Sequence, residues 1–551
     1  MPRVRFLNEN LSLTVEDGVT ILEAARTAGV NIETPCNAIG LCGKCRVKLG
    51  SASSTVDIDS QKSPLSKAES ARTYVLACQS AIHGDVDVLV EDRSAENRSL
   101  RILSEGSSFS YEVKPFITKR FNGHVTEILG GGIPIGEEDG DTTEECYGVV
   151  VDIGTTTLVA SLIDLKTGEE IATESMLNPQ SAYAQDVLAR INFASCPDGL
   201  ATLRRCFIEA YLTMSKAMYE HAVIDPMRVY EVVFSGNTTM LHIACGLDPS
   251  PLGRYPYISK LGGGEHMNAE GLHISPFGRI YLPPVISAFV GADITSGTLV
   301  SRLDEIEGIT AFIDVGTNGE IVLARDGVLS ATSTAAGPAF EGMNIARGMR
   351  AARGALESFA IGADGEISCS VIGGGEPIGI CGSGLLDVVG ELVRVGVIGK
   401  NGRFAEGHHN ESLKKALRSV DGKRAFFITD EVYITQRDIR QAQLAKGAVR
   451  AGVEALMSRL GVSDDSVDRV LIAGSFGYHL NERSLLEIGL LPSAFAGKVL
   501  FVGNTSQSGG TAFLLNTDFR ERMKDVVGRI DKIELANEPG FEKLFVNSLG
   551  F

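Results

Sequence analysis

Three cysteines fall within ten positions of the segment TPCNAIGLCGKCRVKLG (34–50), spaced Cys36-x5-Cys42-x2-Cys45, and a fourth, Cys78, follows after 32 intervening residues. Three close thiols and one remote thiol suit a [2Fe–2S] cluster, in which a loop wraps the cluster and the fourth ligand closes from another strand. Small residues within the loop (Ala38, Gly40, Gly43) let backbone N–H groups approach the sulfides. Zinc sites draw on two pairs of close ligands, which three plus one fits poorly. A [4Fe–4S] site shows C-x2-C-x2-C, and a set of plain core cysteines is the remaining alternative. The stretch CGKC is not the end of a P-loop, because Cys45 stands where Ser or Thr is required. Six further cysteines (146, 196, 206, 245, 369, 381) share no ligand spacing and read as structural thiols.

A second chemistry is written twice. YGVVVDIGTTTLVASLIDLKTGE (147–169) is an apolar strand, a D-x-G-T-T-T turn and a second strand, and ITAFIDVGTNGEIVLARDG (309–327) repeats the pattern. Gly154 and Gly316 let backbone amides turn toward phosphate oxygens, while the hydroxyls of Thr155, Thr156, Thr157 and Thr317 add donors. Asp152 and Asp314, at the strand ends, can hold Mg²⁺ through water. One such turn arises by chance; two, each between strands at half-domain separation, point to a nucleotide cleft between two lobes. GNTTM (236–240) and CGSGLLDVVG (381–390) follow apolar strands and open helices. A phosphate- or partner-facing amide cluster and a plain strand-to-helix turn fit both equally.

The elements that must carry these groups follow from periodicity. Residues 4–15 read as a hairpin, 18–30 as a helix stopped by Gly29, and VLACQS with GDVDVLVED as closing strands, giving a cysteine-bearing domain over 1–92. Residues 93–146 are polar, and GGGIPIGEEDGDTTEE reads as a flexible acidic loop, so the segment is expected to be a linker or reduced middle segment. The first lobe is expected over 147–303 and the second over 304–551.

Bulk properties agree with a multidomain globular protein: 44% hydrophobic and 22% charged residues over 551 positions. Formal net charge is −18, from 69 acidic against 51 basic side chains, and no basic patch stands out. That weighs against nucleic acid and anionic membrane. The N-terminus has no apolar h-region and no 18-residue apolar stretch occurs, so the expectation is a cytoplasmic protein.

The cysteine segment resembles the ferredoxin family of α+β β-grasp proteins, its x5 spacing being that of the adrenodoxin-like branch. The paired loops resemble the two-lobed α/β ATPases of the actin, sugar kinase and heat-shock ATPase (ribonuclease H-like) superfamily. LPPVISAFVGADITSGTLV (282–300) and LFVGNTSQSGGTAFLL (500–515) look like its two connecting helices. VLIAGSFGYHL (470–480) looks like its adenosine loop, with Gly474, Ser475, Phe476 and Gly477 against the base. The resemblance extends the ATP-contacting set to Asn318 and Glu320, and places Asp293 where sugar kinases keep a catalytic base; a helix N-cap is its other reading.

The fusion, together with NPQSAYAQDVLARI (178–191), SGNTTMLHIACGLDP (235–249) and VGADITSG (290–297), closely resembles the reductive activators of corrinoid-dependent methyltransferases. That resemblance implies ATP-driven transfer of one electron from the cluster to Co(II) corrinoid, a corrinoid-protein client, an external electron donor and a homodimer. Members with a [2Fe–2S] cluster carry an extra small domain before the ATPase, and 93–146 is too short for a full copy. No cysteine follows Cys381, so the C-terminal [4Fe–4S] branch does not apply. Two rivals remain: a redox-controlled small-molecule kinase and an actin-like filament with an electron-transfer appendage.

Overall fold

In the computed structural model the described residues are 2–7, 11–28, 30, 32, 45–50, 56–58, 74–90, 99–104, 107–184, 186–342, 344–349, 351, 353–420, 422–474 and 480–551. They fall into two units, Met1–Asn97 and Arg98–Phe551.

In the first unit, β1 (Arg3–Phe6) and β2 (Leu11–Thr14) form the expected hairpin, Phe6 opposite Leu11. Helix α1 (Ile21–Ala28) begins at a reciprocal cap: Glu23 N–H donates to Thr20 Oγ1 (3.2 Å), and Thr20 N–H donates to the Glu23 carboxylate (3.0 Å). With β3 (Arg46–Leu49), β4 (Tyr74–Leu76) and β5 (Val86–Leu89) the sheet runs β2-β1-β5-β3-β4, β1 and β5 parallel. Alternate residues Val4, Phe6, Val86 and Val88 meet Ile21, Leu22 and Ala25 of the helix in one core, as a half-buried sheet requires.

In the second unit, residues 117–139 form strands where a linker was expected. The stretch read as a flexible acidic loop is the edge of a three-stranded antiparallel sheet, β6 (Ile117–Phe121), β7 (Val125–Gly130) and β8 (Ile133–Asp139). Its glycines make a turn rather than a linker, Gly131 and Gly132 lying at φ +57° and +81°. Its acids are held by distant cations. Lys119, 1% exposed, donates to Glu138 (2.9 Å), to the Thr142 hydroxyl (3.1 Å) and to the Glu145 carbonyl (2.7 Å), and Arg228 reaches Glu138 and Glu145. Ile117, Ile128 and Cys146 join the core beneath the first lobe.

Each lobe is built on a six-stranded sheet. In lobe 1, β9 (Tyr147–Ile153), β10 (Thr157–Asp164), β11 (Glu170–Leu177), β12 (Val229–Gly236), β13 (Glu265–Asn268) and β14 (Arg279–Leu282) run β11-β10-β9-β12-β14-β13. Helices α2 (Val187–Phe193), α3 (Pro197–Ala222) and α4 (Thr238–Ala244) accompany them. Phe207, Tyr211 and Met214 of α3 pack on Val149, Val151 and Val232 of the sheet. Helix α5 (Ala292–Val300) then leads into lobe 2. There β15 (Ile309–Val315), β16 (Gly319–Arg325), β17 (Val328–Thr334), β18 (Arg469–Ala473), β19 (Val499–Gly503) and β20 (Asp531–Lys532) run β19-β18-β15-β16-β17-β20. Helices α6 (Gly382–Arg394) and α7 (Gln436–Arg459) belong to this half, whereas α8 (Thr505–Leu515) packs back on β9 and β12 of lobe 1, and Arg520 of α9 (Thr517–Arg529) pairs with Glu231 of β12.

Both central strands, β9 and β15, are buried apolar runs paired antiparallel on one side and parallel on the other. The two expected connecting helices, α5 and α8, cross through small residues. A Cβ on Gly509 would lie 2.4 Å from the Ser296 carbonyl oxygen, and one on Gly297 would lie 2.9 Å from Thr505 Oγ1. Close approach therefore depends on the absence of side chains there.

Candidate functional site

Strand register brings two of the four predicted cluster ligands together. β3 and β4 pair Arg46 with Leu76, so Cys45, just before β3, and Cys78, in the turn after β4, sit side by side. The Ala77 N–H donates to the Cys45 carbonyl (2.9 Å), and the two sulfurs are 3.2 Å apart. Two thiols at that separation can bind one metal ion, and thiolates are the donor set that a [2Fe–2S] cluster takes. Cys36 and Cys42 lie outside the described residues. Of the thiols read as structural, Cys146 and Cys381 are buried, whereas Cys196 and Cys369 are exposed.

The two D-x-G-T turns face each other across a cleft of about 580 Å³ lined from both lobes. Their surroundings repeat as well. Asp152 pairs with Ser235 of β12 and Asp314 with Ala473 of β18, each in parallel register. The residue after each of these partners is a glycine with positive φ, Gly236 (+153°) at the end of β12 and Gly474 (+121°) just beyond β18. A Cβ on either would meet the preceding loop's backbone, 2.7 Å from the Ile153 oxygen or 2.6 Å from the Val315 oxygen. GNTTM is therefore the lobe 1 counterpart of the predicted adenosine loop, of which Gly474 lines the cleft and Ser475, Phe476 and Gly477 lie outside the described residues.

The motif NPQSAYAQDVLARI explains how the first loop is aimed. Asn178 Nδ2 donates to the Gly154 carbonyl (2.9 Å), Arg190 Nη2 to the Thr155 carbonyl (2.6 Å) and the Asn178 N–H to the Thr156 carbonyl (2.8 Å). A trans peptide points its N–H opposite to its C=O. Three carbonyls held on one side thus turn the N–H groups of Thr155, Thr156 and Thr157 the other way, which is how a backbone nest presents itself to an anion. The sequence reading quoted this motif for resemblance and missed its role.

Six carboxylates line the cleft: Asp152, Asp293, Asp314, Glu320, Glu341 and Glu357. No Lys or Arg joins them among the described lining residues. Asn504 Nδ2 (2.8 Å) and Ser506 Oγ (2.7 Å), from the start of α8, donate to the two oxygens of Asp152. Burial raises Asp152 above the usual carboxylate range, offset in part by those donors. Burial, with Asp293 and Asp152 nearby, pushes Asp314 up to about 8. Asp293, beside Asp152, and Glu320, beside Asp293 and Asp314, are raised by burial and by these like charges.

A divalent cation reverses that repulsion. Among the described residues no group of three or more His, Cys, Asp or Glu is placed to hold a metal unaided. Mg²⁺ keeps several waters and takes one or two carboxylates together with substrate phosphates. The all-oxygen donor set suits the same ion.

Asp293 stands in the first turn of α5, whose N-cap is Gly291; its carboxylate accepts from the Ile294 N–H (2.9 Å) at that helix start, and the residue also lines the cleft. Asn237 caps α4 by accepting from the Met240 N–H (3.0 Å) and donates to Thr155 Oγ1 (3.1 Å), joining two roles that had been set against each other. Cys381, Gly382 and Ser383, opening α6, line the cleft too. Of the predicted set, Asp152, Gly154, Thr155, Thr156, Thr157, Asp293, Asp314, Gly316, Thr317, Asn318, Glu320 and Gly474 are brought together here. Arg190, Asn237, Glu341, Asn504 and Ser506 were not foreseen. Asn504 and Ser506 lie in the stretch read only as a connecting helix.

Comparison with known proteins follows the same division. Residues 5–83 match the 2Fe-2S iron-sulfur cluster binding domain, 147–306 the RACo middle region, and 308–551 the C-terminal domain of RACo, the ASKHA domain. The chain is 32% identical over 419 residues to the corrinoid activation enzyme RamQ of Eubacterium limosum, covering 74% of this chain and 70% of that protein. It is 23% identical over 441 residues to the [Co(II) methylated amine-specific corrinoid protein] reductase of Methanosarcina barkeri, covering 74% and 77%. The solved structure of a reductive activator for corrinoid, iron-sulfur protein superposes with a TM-score of 0.75 at 28% identity, covering 100% of this chain and 98% of the other. With a cysteine-bearing domain and a doubled phosphate cleft in one chain, this protein belongs to the RACo family, the reductive activators of corrinoid proteins.

Proposed function

We propose that the protein uses ATP to drive one electron from its [2Fe–2S] cluster onto the Co(II) corrinoid of a client protein, regenerating Co(I) for methyl transfer. The observation that carries this is the union in one chain of the Cys45–Cys78 pair with a two-lobed, acid-lined phosphate cleft. The cluster, when bound by Cys36, Cys42, Cys45 and Cys78, supplies a one-electron donor. ATP is needed because a one-electron step against the potential gradient costs about 1.4 kcal/mol for each 59 mV. Asp152 and Asp314 would hold Mg²⁺, which would neutralise charge on the phosphates when bound. The loop amides of Thr155–Thr157 and of Thr317 and Asn318 bind the phosphate oxygens, the Gly316 N–H being spent on the Asn318 carbonyl (2.9 Å), and Asn504 and Ser506 fix the Asp152 carboxylate. Nucleotide-driven closure shifts the client only by binding one of its states better than the other.

A homodimer, an external electron donor and a cytoplasmic location complete the reading, with no role for nucleic acid or membrane. Among the described residues no helix is long and apolar enough to cross a membrane.

The test combines the reduced protein, Mg·ATP and a corrinoid protein in its Co(II) state, followed by visible spectroscopy without oxygen. The Co(II) spectrum should give way to Co(I) or methyl-Co(III) only with ATP. Cys45→Ser should keep hydrolysis and lose cobalt reduction, with iron and sulfide falling from two of each per chain. Asp314→Ala should keep the cluster and lose activation. Equal cobalt reduction with and without ATP refutes the proposal. It would return the small-molecule kinase reading, with Asp293 as base, for test against a panel of acceptors.

A further inference from the structure

Glu341 has no task in the proposal above. It ends the 3₁₀ turn Pro338–Glu341, set between Gly337 at φ +78° and Gly342 at φ +76°. The Gly337 N–H donates to the Thr317 carbonyl (2.8 Å), tying the turn to the second phosphate loop. Phe340 is fully buried, and a Cβ on Gly382 would lie 1.6 Å from its carbonyl oxygen, so α6 clamps the turn from the other side. The carboxylate is therefore held by backbone, with little freedom to drift.

What it touches is specific. Glu341 accepts from Thr317 Oγ1 at 2.6 Å and from Thr156 Oγ1, and those two hydroxyls lie 3.5 Å from each other. Thr156 belongs to the loop of lobe 1 and Thr317 to the loop of lobe 2. Each is a donor that the nucleotide reading assigns to phosphate oxygens. Two hydroxyls from opposite lobes, converging on one anionic group, make the contact that a phosphate bridging the lobes would receive. A carboxylate and a phosphate cannot share it, because both are acceptors and both are negative.

We propose that Glu341 is an internal stand-in for the terminal phosphate of ATP: it bridges the two loops, and a triphosphate must displace it to engage the same hydroxyls. The inference rests on the ATP reading of the cleft and adds a selectivity element to it. A diphosphate, one phosphate shorter, leaves Glu341 bonded to both threonines, so the carboxylate taxes ATP and spares ADP. Displacement also frees the only carboxylate that bonds to both loops among the described residues, coupling arrival of the terminal phosphate to release of an interlobe tie.

The test measures binding of Mg·AMPPNP and Mg·ADP to the full-length holoprotein by calorimetry, for wild type, Glu341→Ala and Glu341→Gln. Charge-assisted bonds no longer have to be broken, so AMPPNP should bind about tenfold more tightly to both variants. ADP affinity should not change. The glutamine variant keeps the shape of the turn and carries the comparison if the alanine variant fails to fold, with thermal melting as the check. Unchanged or weaker AMPPNP binding in the variants, or an equal shift for both nucleotides, overturns the inference while leaving the ATP reading intact. Absence of binding of either nucleotide by the wild type overturns both.

Discussion

Replacing Arg190 with methionine separates the aim of the first phosphate loop from the stability of the lobe. The guanidinium is fully buried and donates to three oxygens, the Ala184 carbonyl (3.1 Å), Gln180 Oε1 (3.0 Å) and the Thr155 carbonyl (2.6 Å), and also to the weak acceptor Met240 Sδ (2.9 Å). Bonds from a charged donor contribute about 1.5–3 kcal/mol each, so three together are worth about 4–9 kcal/mol. Against this, burial lowers Arg190 to about 10 from 12.5. Keeping the charge at neutral pH therefore costs about 3 kcal/mol, which methionine relieves. The net loss of stability is then about 1–6 kcal/mol, readable as a shift in the urea midpoint at constant slope. The effect on the loop is separate. Once the Thr155 carbonyl is released, the Thr156 N–H is no longer aimed at the cleft, and one bond to an anionic oxygen is lost. AMPPNP affinity should fall by about ten- to a hundredfold. Arg190→Lys keeps the charge but not the three-way fork, and should lie between the two. The measurements are urea unfolding and AMPPNP calorimetry on the same folded samples. Wild-type affinity in a destabilised but folded Arg190→Met protein would refute the loop-aiming argument.

Gly509→Val should force α5 and α8 apart, since its Cβ would meet the Ser296 oxygen at 2.4 Å; a loss of about 1–3 kcal/mol and slower ATP hydrolysis are expected from melting and turnover assays. Asp387, buried in α6, accepts from Ser484 Oγ (2.6 Å), and burial pushes it up to about 6 from 3.8. Because the folded form holds its proton more tightly than the unfolded chain, its contribution is fully present below about pH 4 and is lost as pH rises through about 6. Asp387→Asn should flatten the stability profile across that window and stabilise the protein above it, as denaturation at pH 4, 5, 6 and 7 will tell. Glu231→Ala, which leaves Arg520 buried without its carboxylate partner (2.8 Å), should cost about 3–5 kcal/mol in guanidinium unfolding.

Features written in short sequence windows were the legible ones. The three close cysteines, each D-x-G-T turn taken singly and each connecting helix declare themselves within a short window, because strand ends, tight turns and helix starts are local events. The hidden features all depend on a partner far along the chain. The acids of β8 looked like solvated loop residues until Lys119 and Arg228 arrived from elsewhere to neutralise Glu138. Arg190 sits on an amphipathic helix where an arginine is ordinarily a surface residue, and only the fold buries it against Thr155. Glu341 carries no motif, since its meaning comes from two hydroxyls that the fold brings together across the lobes.

The crossing of the connecting helices contains a line of hydroxyls: Ser296 and Ser235 are 3.0 Å apart, Ser235 and Ser506 2.9 Å, and Ser506 reaches Asp152 at 2.7 Å. A serine hydroxyl has one hydrogen to give. As long as Asp152 is ionised, Ser506 must spend its hydrogen there, Ser235 must then give to Ser506, and Ser296 to Ser235. The row is polarised end to end, like a line of dominoes that can fall only toward the carboxylate. Any change at Asp152 that removes its demand for a hydrogen releases the whole row to point the other way, with no heavy atom displaced. The crossing of the two connecting helices is thus wired to the charge on a single acid in the cleft.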